Sequence, residues 1–572
     1  MGNVIEALDA EPRALLGDEA AACLRYRRPL PWANRLTWGE GCPVAPAIRN
    51  VVLISVDTLR ADHLSCYGYG RLTSPHLDRL ASGGVRFARC ISPHIPTHPG
   101  HTTMLSGRDA ISHQIICHGG DVELAADVPL LPELLGANGF RTGAADNLKR
   151  WFVRGFDDYR PYDWERGPRS WRKAEGVQRT ALEVLDAAVA DGRPFFLFVH
   201  YWDPHTPYFP PSPFDRLFYG GDPTDPRRTG MAEALALEPF REPWTRWWGD
   251  VSDIGYPVSQ YDGAIAYWDT TFAAFADRLA DLGLRDQTLL VLTADHGEEM
   301  TEHRMWFDHH GLYDTNVHVP LILSAPGALP AGAVVERTVS LLDVAPTILD
   351  LLGLGPLAAG MDGQSLVPLL QGEARSAGSQ EALLLTECSW MKKRALRTER
   401  WKAIFALEPD FHDRPAVELY DLLLDPGERC NLAAARPRMV EELREVLERR
   451  LSERMAARDR PDPFSYQDLS MARAQRIGAP GQAGDGPTPR RSVKAGPGSE
   501  SSFRTHAPRA GPGSRGVAAC GPLHFASRRP SRTGRVPRGS VGRTPSGQDH
   551  VASAERRVGA APLRPYGGSV AG

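Results

Sequence analysis

The segment Pro93-His-Ile-Pro-Thr97-His-Pro99-Gly-His101-Thr-Thr-Met-Leu-Ser106-Gly107 holds a hydroxyl in a setting suited to chemistry. Proline fixes φ and lacks an N–H, so Pro96 and Pro99 hold back a helix that continues after His101 and closes at Ser106-Gly107. Thr97 is expected just ahead of that helix start, where free N–H groups and the positive dipole end favour an anion. A hydroxyl there can attack a phosphorus or sulfur centre whose oxygens those donors stabilise. An N-cap is the commoner use of such a threonine, so the catalytic reading needs partners elsewhere in the chain.

Three other places supply them. Asp57 follows the apolar run Val51–Val56; His200, Asp203 and His205 follow Arg193–Val199; Asp295 and His296 follow Gln287–Ala294. Short apolar runs of this kind read as strands buried on both faces of a parallel sheet. In such sheets ligands gather outside the carboxyl ends of the strands. A single Asp after a strand is usually a turn former, but three strands each ending in carboxylate or imidazole point to a cation site. These donors suit Mg²⁺, Mn²⁺, Ca²⁺ or Zn²⁺ rather than a soft metal. A divalent ion held by Asp57, Asp295 and His296 beside Thr97 would lower the hydroxyl's pKa and clamp an ester oxygen. His205 would protonate the leaving group.

The elements that must position these groups alternate. Leu77–Ala81 reads as a helix and Val85–Phe87 as a strand leading to the Thr97 loop. Residues 210–255 are rich in Pro, Gly and Trp and read as a long lid-like loop. Tyr261, Ile265, Trp268, Phe272, Phe275, Leu279 and Leu282 form one face of an amphipathic helix. Val319–Leu323 reads as a fourth strand that Pro320 places near its beginning. The fold class is therefore α/β with a mainly parallel sheet, occupying 48–372. Leu383–Thr386, Trp401–Phe405 and Val417–Tyr420 read as a smaller sheet covered by a helix with Val440, Leu443, Leu447, Leu451 and Met455 on one face; this C-terminal subdomain spans 373–460. Residues 1–47 form an N-terminal extension. The Gly/Pro/Arg-rich stretch 461–572 is expected to be a disordered basic tail, since it offers little apolar surface to bury.

The totals narrow the function classes. The chain has 572 residues, 42% hydrophobic and 24% charged, as in soluble globular proteins. A formal charge of -4 favours neither nucleic acid nor an anionic membrane. Eight cysteines without a C-x-x-C pair argue against a zinc ribbon or disulfide framework and fit reduced thiols. No signal-peptide core or membrane-length apolar run is evident, so a cytoplasmic enzyme acting on a small anionic ester is expected.

The motifs Ser55-Val-Asp57-Thr-Leu-Arg60-Ala-Asp62, Cys66-Tyr-Gly68, Pro75-His-Leu-Asp78, Thr293-Ala-Asp295-His-Gly-Glu298, Val319-Pro-Leu-Ile-Leu323 and Glu418-Leu-Tyr-Asp421 occur in this order. They resemble the sulfatase family of the alkaline phosphatase superfamily from about residue 48 to 455. The resemblance implies a doubly wound α/β domain, a four-stranded C-terminal subdomain with a helix, and a catalytic divalent metal. It implies that Asp57, Asp295 and His296 are metal ligands, with Thr97 beside them as a fourth metal-site residue, and that His205 is an active-site histidine. Sulfatases carry C-x-P-x-R or S-x-P-x-R, whose Cys or Ser becomes formylglycine; this chain has Thr97-His-Pro99-Gly-His101. Threonine already bears a methyl on Cβ and cannot become that aldehyde hydrate. The T-x-P-x-H pattern is instead similar to phosphodiesterases with a Thr nucleophile, which places His101 at the substrate. The family's second Asp is Thr58 here, and its lysine segment maps onto Asn147 or Lys149, with Lys149 the substrate-binding candidate. His309 is a further substrate contact, and His310-Gly311 resembles a zinc-ligand histidine of the phosphodiesterases, which gives His310 a catalytic role; one metal is expected, with room for a second. Phosphate mono- or diesters are favoured over sulfate esters. A phospho-group transferase and a non-catalytic anion-binding protein are the alternatives.

Overall fold

The computed structural model describes residues 48–118, 122–238, 240–372 and 382–467. The expected N-terminal extension and the tail beyond 467 lie outside these residues. In chain order the strands are β1 (Asn50–Val56), β2 (Val85–Ile91), β3 (His94–Ile95), β4 (Arg141–Ala145), β5 (Asp158–Arg160), β6 (Phe195–Tyr201) and β7 (Thr288–Thr293). They continue with β8 (His318–Ser324), β9 (Ala333–Ser340), β10 (Leu383–Cys388), β11 (Lys392–Arg397), β12 (Trp401–Ala406) and β13 (Val417–Asp421). The main sheet among the described residues has eight strands in the order β5-β4-β6-β1-β7-β8-β2-β9.

The centre of this sheet is what the site requires. β6, β1 and β7 are adjacent and parallel, and each is buried along its whole length. Their apolar sequences leave no solvent face, so helices must cover them. Lys173–Asp191 packs on β4 and β6, and the long helix Gly255–Asp281 packs against it. Because the three strands run the same way, Asp57, the His200–His205 segment and Asp295-His296 emerge at one end.

β8 departs from the parallel rule, pairing antiparallel with both β7 and β2. Pro320 is tolerated because its strand pairs with β7 only from Leu321 onward, opposite Thr293. The Pro320 carbonyl still accepts a hydrogen bond from Thr293 Oγ1, 2.7 Å away. The 210–255 segment is also more regular than a loop, with short helices at Phe214–Leu217, Met231–Leu235 and Arg241–Trp248. Trp248 packs edge-on against Phe307 at 5.0 Å, so this segment covers the chain that leads into His309.

β10 to β13 form an antiparallel meander, covered by the helix Pro437–Arg458. Its Val440, Leu443, Leu447 and Leu451 bury against Trp401 and Leu419. β3, which lies just before Thr97, joins this second sheet, running parallel to β10 with Thr386 opposite His94 and Glu387 opposite Ile95. The expected boundary at residue 372 is therefore crossed by a strand from the catalytic region. Residues 461–467, expected as the start of the tail, fold back instead: Asp462 pairs with Arg394, and Gln467 is buried and accepts from Lys392 Nζ at 2.9 Å.

Candidate active site

β1 ends in Asp57, which is fully buried. The next residue, Thr58, turns the chain with φ 59°, a left-handed conformation that costs a β-branched residue about 1–3 kcal/mol. That turn aims the Thr58 N–H at Asp295 Oδ1, 3.3 Å away, and so ties the ends of β1 and β7 together. Asp295 is held from the other side as well, because Ser92 Oγ donates to its carbonyl. A Cβ on Gly100 would stand 2.8 Å from that same carbonyl oxygen, so only glycine lets the nucleophile helix approach this closely.

That helix, α1 (Thr97–Ser106), begins at Thr97 itself, with Pro96 as its N-cap. Pro99 was expected to delay the start but lies inside the first turn, where an N–H would have no intrahelical partner anyway. Thr97 is buried, and its Oγ1 lies 3.2 Å from His296 Nε2. His296 Nδ1 faces the Gly297 carbonyl at 2.9 Å, which leaves Nε2 for the site. Nε2 is also 3.2 Å from Asp295 Oδ2 and 4.0 Å from Asp57 Oδ1.

Asp57, Asp295 and His296 each offer one ligand atom, and the three atoms lie within 4.8 Å of one another. Both oxygens of Asp57 and Oδ2 of Asp295 are buried without a hydrogen-bond partner. Two buried carboxylates with imidazoles alone for company cost several kcal/mol unless a further cation satisfies their free lone pairs, so this donor set fits a hard divalent ion. Burial alone would raise the Asp57 carboxyl, but His205, His200 and His296 together hold it well below the usual carboxylate range. Burial and the neighbouring Asp57 push Asp295 up to about 7. The pair thus behaves as two like charges sharing one place.

Several predicted residues gather around the cluster. His309 stacks on His296 with ring centroids 4.6 Å apart, and His205 lies 5.6 Å from His309. Burial lowers the pKa of both rings. His205 Nδ1 is 2.8 Å from the Thr206 carbonyl, which leaves Nε2 for a ligand.

Other predicted residues stand differently. His101 is fully buried, with Nε2 2.9 Å from Ser55 Oγ and Nδ1 3.0 Å from the Thr97 carbonyl. Both its nitrogens are engaged by the protein, so it fixes the first turn of α1 rather than facing a substrate. Lys149 is exposed, with its backbone N–H donating to Tyr159 Oη. Asn147 is tied to the backbone of Tyr162 at 3.0 and 3.1 Å. His310 turns to a second group of side chains, 3.0 Å from His412 Nε2 and 3.4 Å from Asp308 Oδ2.

Two features were not anticipated. His200 bridges Asp146 Oδ1 at 2.8 Å and Asp57 Oδ2 at 3.4 Å. Burial opposes its charge, but these two carboxylates carry its pKa up to about 10. Lys173 is the buried lysine of this region; it donates to the carbonyls of His205 at 2.6 Å and Trp202 at 3.1 Å, with Asp203 Oδ1 3.7 Å away. Its signal was a lysine at the head of the apolar series Val177 and Ala181, four residues apart on one helix face. Asp146 follows the small-residue strand β4 and offered no comparable pattern. Among the described cysteines, Cys66, Cys90, Cys117 and Cys388 are free thiols.

Comparison with known proteins agrees with this arrangement. The sulfatase family profile matches residues 49–354, and the C-terminal profile of N-sulphoglucosamine sulphohydrolase matches residues 301–457. Human iduronate 2-sulfatase is 27% identical over 58% of this chain and 69% of its own length. The structure of a 2-O GAG sulfatase superposes with a TM-score of 0.60 at 20% identity, covering 75% of this chain and 96% of that one. A phosphonate monoester hydrolase from Silicibacter pomeroyi is 25% identical with a TM-score of 0.54, covering 71% of this chain and 95% of that one. With the catalytic profile spanning more than half of its length, the chain belongs to the sulfatase family of ester hydrolases in the alkaline phosphatase superfamily.

Proposed function

We propose that this chain hydrolyses small phospho-esters by in-line attack of Thr97, with Asp57, Asp295 and His296 holding a divalent cation. The observation that carries the reading is the Thr97 hydroxyl, 3.2 Å from His296 Nε2 at the edge of a buried cluster of unsatisfied carboxylates. When bound, the cation supplies Lewis-acid charge that polarises the ester oxygen and favours the ionised hydroxyl. The remaining tasks fall to side chains. The helix start at Thr97 presents its backbone N–H groups to the ester's anionic oxygens, and His101 fixes that turn by gripping the Thr97 carbonyl. The bound ester's negative charge offsets the burial that lowers His205, so its imidazolium Nε2–H gives a proton to the leaving oxygen, and the neutral ring later takes one from the water that frees Thr97. His309, stacked beside His296, lines the substrate side.

Phospho-esters come first because phosphothreonine can be hydrolysed in line by water, whereas an unmodified Thr cannot form the aldehyde hydrate that sulfatases use. The likeness to a phosphonate monoester hydrolase supports this reading. Sulfate ester hydrolysis is the second reading, favoured by the family and by the likeness to iduronate 2-sulfatase. Rates on aryl phosphate, diaryl phosphate, aryl phosphonate and aryl sulfate, each with Mn²⁺, Zn²⁺, Mg²⁺ or Ca²⁺, separate the two. A phospho-substrate is expected to lead, and Thr97→Ala to lose at least about 10³-fold. Preference for the sulfate together with an unimpaired Thr97→Ala variant would overturn the mechanism.

A further inference from the structure

β6 ends at Tyr201, and no helix or strand covers residues 202–207, which carry His205. Pro204 and Pro207 remove two backbone donors from this stretch. Within it the His205 N–H donates to the Trp202 carbonyl at 2.9 Å, closing one turn. Lys173 adds a hold from outside. It is 2% exposed, and its Nζ donates to the Trp202 carbonyl at 3.1 Å and to the His205 carbonyl at 2.6 Å. One ammonium therefore grips both ends of the turn, with Asp203 Oδ1 3.7 Å away as its counter-charge. Lysine is seldom buried so completely unless it is paired, and hydrogen bonds from a charged donor are stronger than neutral ones. Lys173 opens the helix Lys173–Asp191, which packs on β4 and β6, so the grip is anchored to the main sheet.

We propose that Lys173 is a positioning residue for the proton transfer: by clamping the carbonyls of Trp202 and His205 it holds the His205 ring where Nε2 meets the leaving oxygen. The role rests on the task given to His205 in the proposed hydrolysis and adds a residue to it. Lys173 Nζ is committed to two carbonyls and a carboxylate, so it acts on the ester only through the His205 backbone. Losing the ammonium frees the turn, and misplacing a reacting group by about 1 Å costs on the order of 10²-fold in rate. That loss falls on esters whose leaving oxygen needs the proton. Thr97, Asp57, Asp295 and His296 stand on α1 and at the ends of β1 and β7, so nucleophilic attack and cation binding do not depend on this clamp. A lysine that merely stabilised the fold would slow every substrate alike.

The test compares the full chain with its Lys173→Met variant on an alkyl ester and a nitrophenyl ester of whichever acid, phosphoric or sulfuric, the wild-type chain hydrolyses. For Lys173→Met, kcat on the alkyl ester is expected to fall by about 10²-fold and on the nitrophenyl ester only a few-fold. Its Mn²⁺ affinity, read by equilibrium titration, should match wild type. In a His205→Ala background the same substitution should cost little more on the alkyl ester, since the residue it positions is gone. Lys173→Gln keeps a neutral N–H donor for one carbonyl; it should fall between wild type and Lys173→Met, and it takes the test over where Lys173→Met fails to fold. Equal losses on both esters, or additive losses in the double variant, would overturn the inference. Leaving-group dependence in His205→Ala but not in the Lys173 variants would overturn it and leave the hydrolytic reading intact. Absence of that dependence from both, or turnover of neither ester by wild type, would remove the proton role of His205 as well.

Discussion

His205 is shaped by what surrounds it. Its Nδ1 is taken by the Thr206 carbonyl, Trp202 flanks its ring at 5.3 Å, and burial lowers its pKa while the charge of Asp57 opposes that shift. A histidine so placed has one free nitrogen, and proton transfer to the leaving oxygen is the task it can do. His205→Ala is expected to slow hydrolysis of alkyl esters by roughly 10²–10⁴. The loss should be much smaller for nitrophenyl esters, whose leaving oxygen needs no proton. Comparing kcat for the two substrate types in wild type and variant checks this; an equal loss on both would assign His205 to binding instead.

β3 and α1 form the element that aims the nucleophile, and His94 of β3 makes it acid-sensitive. His94 is fully buried, with Nδ1 2.8 Å from Thr386 Oγ1, and burial lowers its pKa to about 3. The unfolded chain binds a proton here below about pH 6.5 while the folded chain resists it. Stability present above that pH is therefore lost as pH falls toward the folded pKa, at about 1.4 kcal/mol per pH unit. His94→Asn should be less stable than wild type at pH 7.5, with the gap narrowing at pH 5 in urea unfolding. A gap that widened would contradict the assignment.

Legibility in the sequence follows the same physics. β1, β6 and β7 are buried on both faces, so their apolar runs announced both the strands and the ligands at their ends. β4, with the sequence Arg-Thr-Gly-Ala-Ala, carries almost no apolar signal, and Asp146 at its end was missed with it. β11 was hidden because it is rich in cations that are buried yet paired: Lys393 with Asp410 and Arg397 with Asp314. His310 followed a motif, but its orientation depends on His412, which is distant in sequence. Lys149 was placed by analogy to a lysine segment, whereas the buried lysine, Lys173, is set by the face its helix turns to β6.

The two sheets are joined at the nucleophile, since β3 belongs to the second sheet while the helix after it reaches the first. Truncation after residue 372 would leave β3 without β10 and expose an apolar edge. Such a chain is expected to be insoluble or to lack cooperative unfolding, whereas the chain to residue 467 should unfold in one transition. A soluble, cooperatively folded 48–372 fragment would show that the subdomain is dispensable for Thr97. The account as a whole rests on one convergence, in which the ends of two neighbouring strands hold a cation beside the first residue of α1. Equilibrium titration of the metal-stripped chain with Mn²⁺ and Ca²⁺ tests it most directly. The account predicts saturable binding that Asp295→Asn abolishes and Thr97→Ala, though inactive, retains in large part. Unchanged binding in Asp295→Asn, or full turnover by Thr97→Ala, would contradict it.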